Sequence, residues 1–545
     1  MKFKGIIAAF LAVLIVFSAA ACTNNGTGTN KPKTDEFRIT DAALTDGVPS
    51  SGNCRVYYEI FVGSFSDSNG DGTGDLRGII NRMDYLNDGD PASGLSLGVE
   101  GLWLTPIFDS PSYHKYDITD YYKIDPSFGT EEDLKELVDL CHSRGAAVIL
   151  DLPINHTGKK NDWFSEFLLA HRQGDTSSEF YDVYTWYDSN VEDKPAGRQF
   201  QPIAGTSHYY ECNFSGDMPE LNFDCEKAFE LALGVAYHYL DLGVDGFRFD
   251  AAKYVYFGDH VKSVEFWNRY IGKLREKKED VYTVGEVWDG EGVIDRYMAA
   301  TDCFNFAVAD ASGLIAEVAK KGDANRWTGY VEGYLNKISG MREGARMTPF
   351  ITNHDMDRAA GFLTVASGAM KMAANLYVLG PGTPFIYYGE EIGMRGSRGA
   401  ANTDANRRLA MLWGDGDTVK NPVGSSYSED NQIDTTVFDQ LKDKDSLYNY
   451  YKKLIMIRRA NPEIAMGTYR AVKIANSKVG CFISTYNGSS VMVLHNPSGA
   501  SQTIDLSLLS DEQFTVLRAV IGMEDASLEG TMLTIGGQTS VVIGK

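Results

Sequence analysis

Between residues 55 and 460, eight short apolar or β-branched runs alternate with stretches of helical period. They are "RVYYEIFVGSF", "GVEGLWLTPIF", "AAVILDLPINH", "GVDGFRFDAAKY", "VYTVGEVW", "DCFNFAV", "RMTPFITNHD" and "GTPFIYYGEE". Strands apolar on both faces and joined by helices pack as a parallel sheet, and eight such units predict a closed (β/α)8 TIM barrel, an α/β fold. One connecting helix is explicit in the sequence. In "GTEEDLKELVDLCHSRG", Thr130 and Asp133 form a capping box, Leu134, Leu137, Val138 and Cys141 share a face, and Gly145 marks the stop.

The fourth run departs from this pattern. Arg248 and Asp250 share one face of the strand, and Phe247 and Phe249 share the other. A structural ion pair explains this as well as a reactive site does until the other strands are read. In a barrel of this kind chemistry sits at the C-terminal strand ends. Those ends carry Asp151, Asn155 and His156, then Arg248 and Asp250, then Glu286, then His354 and Asp355.

Two reaction classes use such a set. One is metal-dependent hydrolysis through Asp250, His156, His354 and further carboxylates, and the other is glycoside hydrolysis by a carboxylate pair. Arg248 beside Asp250 opposes a metal cation there but keeps a nucleophilic carboxylate ionised and oriented. Glu286, at a strand end among negative neighbours, is placed for the raised pKa of a general acid. The glycosidase reading is therefore preferred.

Flanking segments set the domain plan. After "PINH" the chain runs from 157 to 226 without a clear strand–helix unit and is rich in aromatics, which predicts a small inserted domain between barrel segments 54–156 and 227–460. Residues 461–545 lose helical period and show a strand, an Asn-Gly turn and a strand, which predicts an antiparallel β-sandwich. Residues 1–22 carry Lys2 and Lys4, an apolar run and "SAAAC", the grammar of an export signal too short to span a bilayer comfortably. The polar tract that follows, within 23–53, is predicted to be a flexible tether. A formal charge of −23 disfavours nucleic acid as partner. After Cys22 the six remaining cysteines have irregular spacing that supports neither a zinc motif nor a dense disulfide framework, with a Cys212–Cys225 bridge left open.

The signatures "DLPINH", "GFRFDAAKY", "GEVW" and "ITNHD" resemble, in order and placement, the four successive motifs of the α-amylase family of retaining glycoside hydrolases. "MPELN" resembles a fifth, with Glu220 where the family usually has Asp. The resemblance implies Asp250 as nucleophile, Glu286 as acid/base and Asp355 as the carboxylate that binds hydroxyls of the distorted sugar. It implies Arg248 as the group positioning Asp250, and His156 and His354 as hydroxyl contacts. Tyr116 would be a platform beneath the sugar and Lys253 a contact on the leaving side, with Asp151 a structural partner. Ala251 after the nucleophile is similar to α-1,4-acting members. The implied activity is hydrolysis of α-1,4-glucans, with an exo-acting α-glucosidase and a 4-α-glucanotransferase as alternatives. A surface glucan-binding protein without catalysis is a further alternative, disfavoured because all three carboxylates are present.

In "DSNGDGTGD", oxygen ligands recur at Asp67, Asn69, Asp71, the Thr73 carbonyl and Asp75, as Ca2+ prefers. Members of the family carry the same loop as a calcium site. A second calcium at Asn155 is left open, because Tyr254 follows Lys253 where a His is usual. "AAAC" with the polar tract behind it resembles a bacterial lipoprotein signal, which implies lipidation at Cys22 and anchorage at the outer face of a membrane.

Overall fold

The computed structural model describes residues 54–188, 197–475 and 478–545, so the expected signal, Cys22 and the tether lie outside the described residues. Seven parallel strands, β1 (Tyr57–Ile60), β2 (Gly101–Leu104), β3 (Ala147–Leu152), β4 (Gly246–Phe249), β5 (Tyr282–Gly285), β6 (Asp302–Cys303) and β7 (Phe385–Tyr387), pair in the order β6-β5-β4-β3-β2-β1-β7. The expected strand "RMTPFITNHD" forms no regular ladder. It makes one parallel bridge, Phe304 with Thr348, and accepts from Thr383 N at Met347 O and from Phe385 N at Pro349 O. Pro349 has no N–H to donate, so the segment closes the ring between β6 and β7 without counting as a strand. The architecture is a (β/α)8 barrel.

Alternation along the strands sorts side chains between two cores. Leu102, Leu104, Val148, Leu150, Phe247 and Phe249 point outward into the large core shared with the helices. Tyr57, Trp103, Ile149, Tyr282, Val284, Phe304, Phe350 and Phe385 fill the barrel interior. The Tyr57 ring stacks between Tyr282 and Phe385, with centroids 5.1 and 4.9 Å away. That ring explains Gly101, where a Cβ would stand 2.4 Å from Tyr57 Cε1. The helix Glu131–Ser143 has its capping box between Thr130 and Asp133, and Gly145 adopts φ +73° just beyond it.

The insertion consists of the helix Asp162–Gln173 and a three-stranded antiparallel sheet of Trp186–Asp188, His208–Glu211 and Phe200–Pro202. It returns to the barrel where Leu221 N donates to Asn155 O and His156 bridges Glu220. At the C-terminal end a five-stranded and a three-stranded antiparallel sheet enclose a second core around Cys481, Ile483, Leu494, Leu533, Ile535 and Val541. The other face of the five-stranded sheet sends Phe482, Val491, Val493 and Val542 into the barrel's outer core. Its central hairpin turns at Asn487–Gly488, both at positive φ, the conformation that a two-residue turn requires.

Candidate active site

Strand pairing sets Arg248 of β4 directly beside Asp151 of β3, inside the barrel, with both side chains fully buried. Arg248 Nη1 donates to Asp151 Oδ1 at 2.8 Å and to Asp250 Oδ1 at 2.6 Å. Its Nη2 lies 2.9 Å from Glu286 Oε1, an ion pair outside hydrogen-bond geometry. One guanidinium thus faces three carboxylates. Outward, Phe249 packs on Trp267 with centroids 4.4 Å apart.

Directly after Asp250 the chain turns through Ala251 at φ +45°, a conformation a non-glycine residue holds only where its surroundings enforce it. Here Ala251 N donates to Glu286 Oε2 at 2.9 Å, Ala252 N donates to Glu286 O, and Trp267 Nε1 donates to Ala252 O. The turn therefore ties the loop carrying Asp250 to the loop carrying Glu286.

Burial raises the pKa of Asp250 and Glu286. Arg248 opposes the shift in each case, and the negative charges of Asp250 and Asp355 push Glu286 further up. Of these two, Asp250 takes a true hydrogen bond from Arg248 and Glu286 does not, so when the pair holds one proton it belongs on Glu286. Asp355 behaves oppositely. Burial works against its charge, but His354 at 3.0 Å and Arg408 Nη2 at 2.6 Å hold it well below the usual carboxylate range.

His354 also meets Tyr116 Oη at 2.8 Å, and Tyr116 in turn donates to Asp151 Oδ2 at 2.8 Å. His156 Nε2 faces the Tyr116 carbonyl at 3.0 Å and its Nδ1 faces Asn155 Nδ2. The ring is therefore the neutral Nε2–H form, consistent with burial pushing it down to about 4. Lys253 Nζ donates to Trp288 O and Asp289 Oδ2, which fixes the loop beyond Glu286.

Asp250, Glu286, Asp355, Tyr116, His156 and Lys253 line one cavity of about 690 Å³, with Tyr113, Phe214, Tyr254, Trp288, Asp404 and Arg408 completing the wall. Arg248 and His354 stand behind it, bonded to the carboxylates. The sequence reading missed Glu59, Tyr113, Trp288 and Arg408. Glu59 carried a usable signal, an acid inside an apolar strand, as Arg248 did. Arg408 lies beyond β7 with no periodic pattern around it.

The acidic loop is elsewhere. Asp67 accepts from the backbone N–H groups of Asn69, Gly70 and Gly72, Asn69 from Asp71, Asp71 from Thr73, and Asp75 from Ser68 and Gly78, so each side chain bonds its own loop or the helix that follows. Among the described residues no three His, Cys, Asp or Glu side chains converge as a metal-holding group. Near Asn155, the cation facing Glu211 is Arg198, 3.0 Å away. Cys212 and Cys225 are free thiols.

Residues 59–467 match the family model described as Alpha amylase, catalytic domain. The chain is 32% identical over 506 residues to Alpha-amylase 3 of Dictyoglomus thermophilum, covering 90% of this chain and 92% of that protein. It is 29% identical over 462 residues to the 4-alpha-glucanotransferase of Thermotoga neapolitana, covering 83% and 97%. The solved structure of Eubacterium rectale Amy13B superposes with a TM-score of 0.81 at 33% identity, covering 90% of this chain and 96% of that one.

Proposed function

The chain belongs to the alpha-amylase family of glycoside hydrolases, and from that premise we propose that it hydrolyses α-1,4-glucosidic bonds in starch or maltodextrins with retention of configuration. The observation that carries this reading is the unequal sharing of one guanidinium: Arg248 hydrogen-bonds Asp250 and only ion-pairs with Glu286. Asp250 is the nucleophile that closes on the anomeric carbon to form a glycosyl-enzyme. Glu286 protonates the departing oxygen and then takes a proton from water. Such carboxylates act at about 5–5.5 Å separation in retaining enzymes. Asp355 accepts from sugar hydroxyls, His156 donates its Nε2–H when the substrate displaces the Tyr116 carbonyl, and Tyr116 lies under the ring. Lys253 holds the leaving-side wall.

Transfer to a second sugar is the competing reading. It is favoured by Trp288 and Phe214, which line the cavity yet remain 46% and 44% exposed, surfaces on which an acceptor sugar can stack. Proton NMR of maltoheptaose digestion distinguishes the two. Fresh α-anomeric ends with mixed short products support the amylase, products longer than the substrate support transfer, and glucose as sole early product supports an exo-acting glucosidase.

Ca2+ is proposed at the 67–75 loop, where Asp67, Asn69, Asp71, Asp75 and the Thr73 carbonyl supply the hard oxygen donors it takes. Anchorage through a lipidated Cys22 at the outer face of a membrane is proposed from the signal grammar of the first 22 residues. Replacing Cys22 with Ser should release the protein to the medium.

A further inference from the structure

We propose that Glu59, in the first barrel strand, is a positioning residue that keeps His354 doubly protonated, so that an imidazolium braces Asp355 for sugar binding. The role assigned to Asp355 rests on the function proposed above; the protonation of His354 does not.

Glu59 sits between Tyr58 and Ile60 in β1 and is 1% exposed. Strand alternation sends Tyr58 and Ile60 into the outer core and turns Glu59 to the barrel interior. Glu59 Oε1 lies 2.5 Å from His354 Nδ1 and 3.4 Å from the His354 backbone N–H. Oε1 accepts from that backbone N–H, and opposite an ionised Glu59 the Nδ1 atom supplies its own proton; burial raises the Glu59 pKa, and the positive charges of His354 and Arg248 oppose that rise.

At the other side of the ring Nε2 faces Asp355 Oδ2 at 3.0 Å and Tyr116 Oη at 2.8 Å. A tyrosine hydroxyl has one proton, and that of Tyr116 goes to Asp151 Oδ2, which leaves a lone pair toward His354. Every atom facing the two ring nitrogens is therefore an acceptor. A neutral imidazole would set one of its lone pairs against an acceptor oxygen, whereas an imidazolium has a proton for each side.

The remaining neighbours are consistent with this assignment. Trp103 of β2 packs edge-on against the ring at 5.8 Å, and His354 is buried. Arg408 donates to His354 O and to Asp355 Oδ1, and Arg248 lies close enough to act on both Glu59 and Asp355. Burial disfavours a charged ring, yet Asp355 and Glu59 together push His354 up to about 10. Asp355 then lies between two cations and stays ionised.

The test is a titration of ring protons in protein labelled with 15N-histidine, with the His354 signals assigned by their loss in His354→Asn. Both ring nitrogens should remain protonated until about pH 10. Glu59→Gln keeps the size and removes the charge, and should lower that transition by ~1–3 pH units, the effect of one close opposite charge. Its kcat should fall with KM little changed, because Asp355 grips the distorted ring of the transition state rather than the resting substrate. Glu59→Asp should restore part of both. A wild-type ring already neutral at about pH 8, or a transition unmoved in Glu59→Gln, overturns the proposal. Should the Gln variant not fold, the wild-type and Asp titrations still decide it. The titration uses no substrate, so failure to cleave maltoheptaose would remove the proposed function and leave this assignment standing.

Discussion

Arg248, in β4, and Asp250, just past its C-terminal end, share a 2.6 Å hydrogen bond that lies inside the barrel rather than on its surface. The same Nη1 holds Asp151, and among the described residues Asp151 has no other cation in hydrogen-bond contact. Arg248→Ala therefore leaves a fully buried carboxylate with the Tyr116 hydroxyl but no cation. The expected loss is about 3–5 kcal/mol of unfolding free energy, measured by urea titration with circular dichroism. Arg248→Lys should recover little of it, because an ammonium cannot reach three carboxylates in the planar fork geometry that they occupy.

The two reacting carboxylates separate by leaving group. Asp250→Asn should lower kcat on maltoheptaose by on the order of 10⁴-fold or more, as removal of a covalent nucleophile does, while the melting curve changes far less. Glu286→Gln should be similarly inert on maltoheptaose but still release fluoride from an α-glucosyl fluoride in the first step, where fluoride departs without a proton, with breakdown of the glycosyl-enzyme then slow. Fluoride release measured by electrode in both variants checks the assignment, and equal losses on the fluoride substrate would reverse or remove it.

The pH dependence follows from the same pair. Burial and the negative charges of Asp250 and Asp355 raise Glu286, and a general acid must be protonated to act, so kcat/KM should fall as pH rises through that raised value. Asp250 must be ionised, so the rate should fall again at low pH. Taking away the Asp250 charge removes one of the raising causes. Glu286 in Asp250→Asn should therefore titrate at lower pH than in the wild type, which 13C NMR of labelled glutamate can follow.

Strand-end chemistry was legible because it violates a pattern. An arginine or carboxylate within a run of apolar residues is conspicuous, and Asp151, Arg248, Asp250 and Glu286 all stand out in this way. The seventh segment was legible as a barrel element although Pro349 keeps it from pairing as a strand. Glu59 shows the same violation in the first run, although one acid between "YY" and "IF" is equally the mark of a strand edge. Arg408 and Trp288 were not legible. Loops beyond the strands carry them into the cavity, and loops have no period from which position can be read.

Lys253 is the leaving-side residue whose structural setting most changes its expected phenotype. Its ammonium is not free in the cavity but donates to Trp288 O at 2.7 Å and Asp289 Oδ2 at 2.9 Å. Lys253→Ala should therefore loosen the wall holding Trp288 in addition to removing the sugar contact proposed for it. A higher KM for long maltodextrins than for short ones, with little change in stability, is the expected outcome of steady-state kinetics on a chain-length series.

Calcium at the 67–75 loop is tested by stability. The loop's backbone N–H groups already hold its carboxylates in place, and Asp67 takes bonds from three of them and from Thr418. Those bonds offset burial and keep Asp67 below its ordinary pKa, so the side chain is ionised at neutral pH. If Ca2+ binds the folded loop and not the unfolded chain, its free energy of binding appears as unfolding free energy. At free Ca2+ one hundred times Kd the gain is about 2.7 kcal/mol, which should appear as a higher melting temperature than in EDTA-treated protein. Asp71→Ala should abolish the difference, because Asp71 contributes a ligand while sustaining only the Thr73 N–H. An EDTA-treated protein whose melting temperature ignores added calcium would remove the metal from this loop.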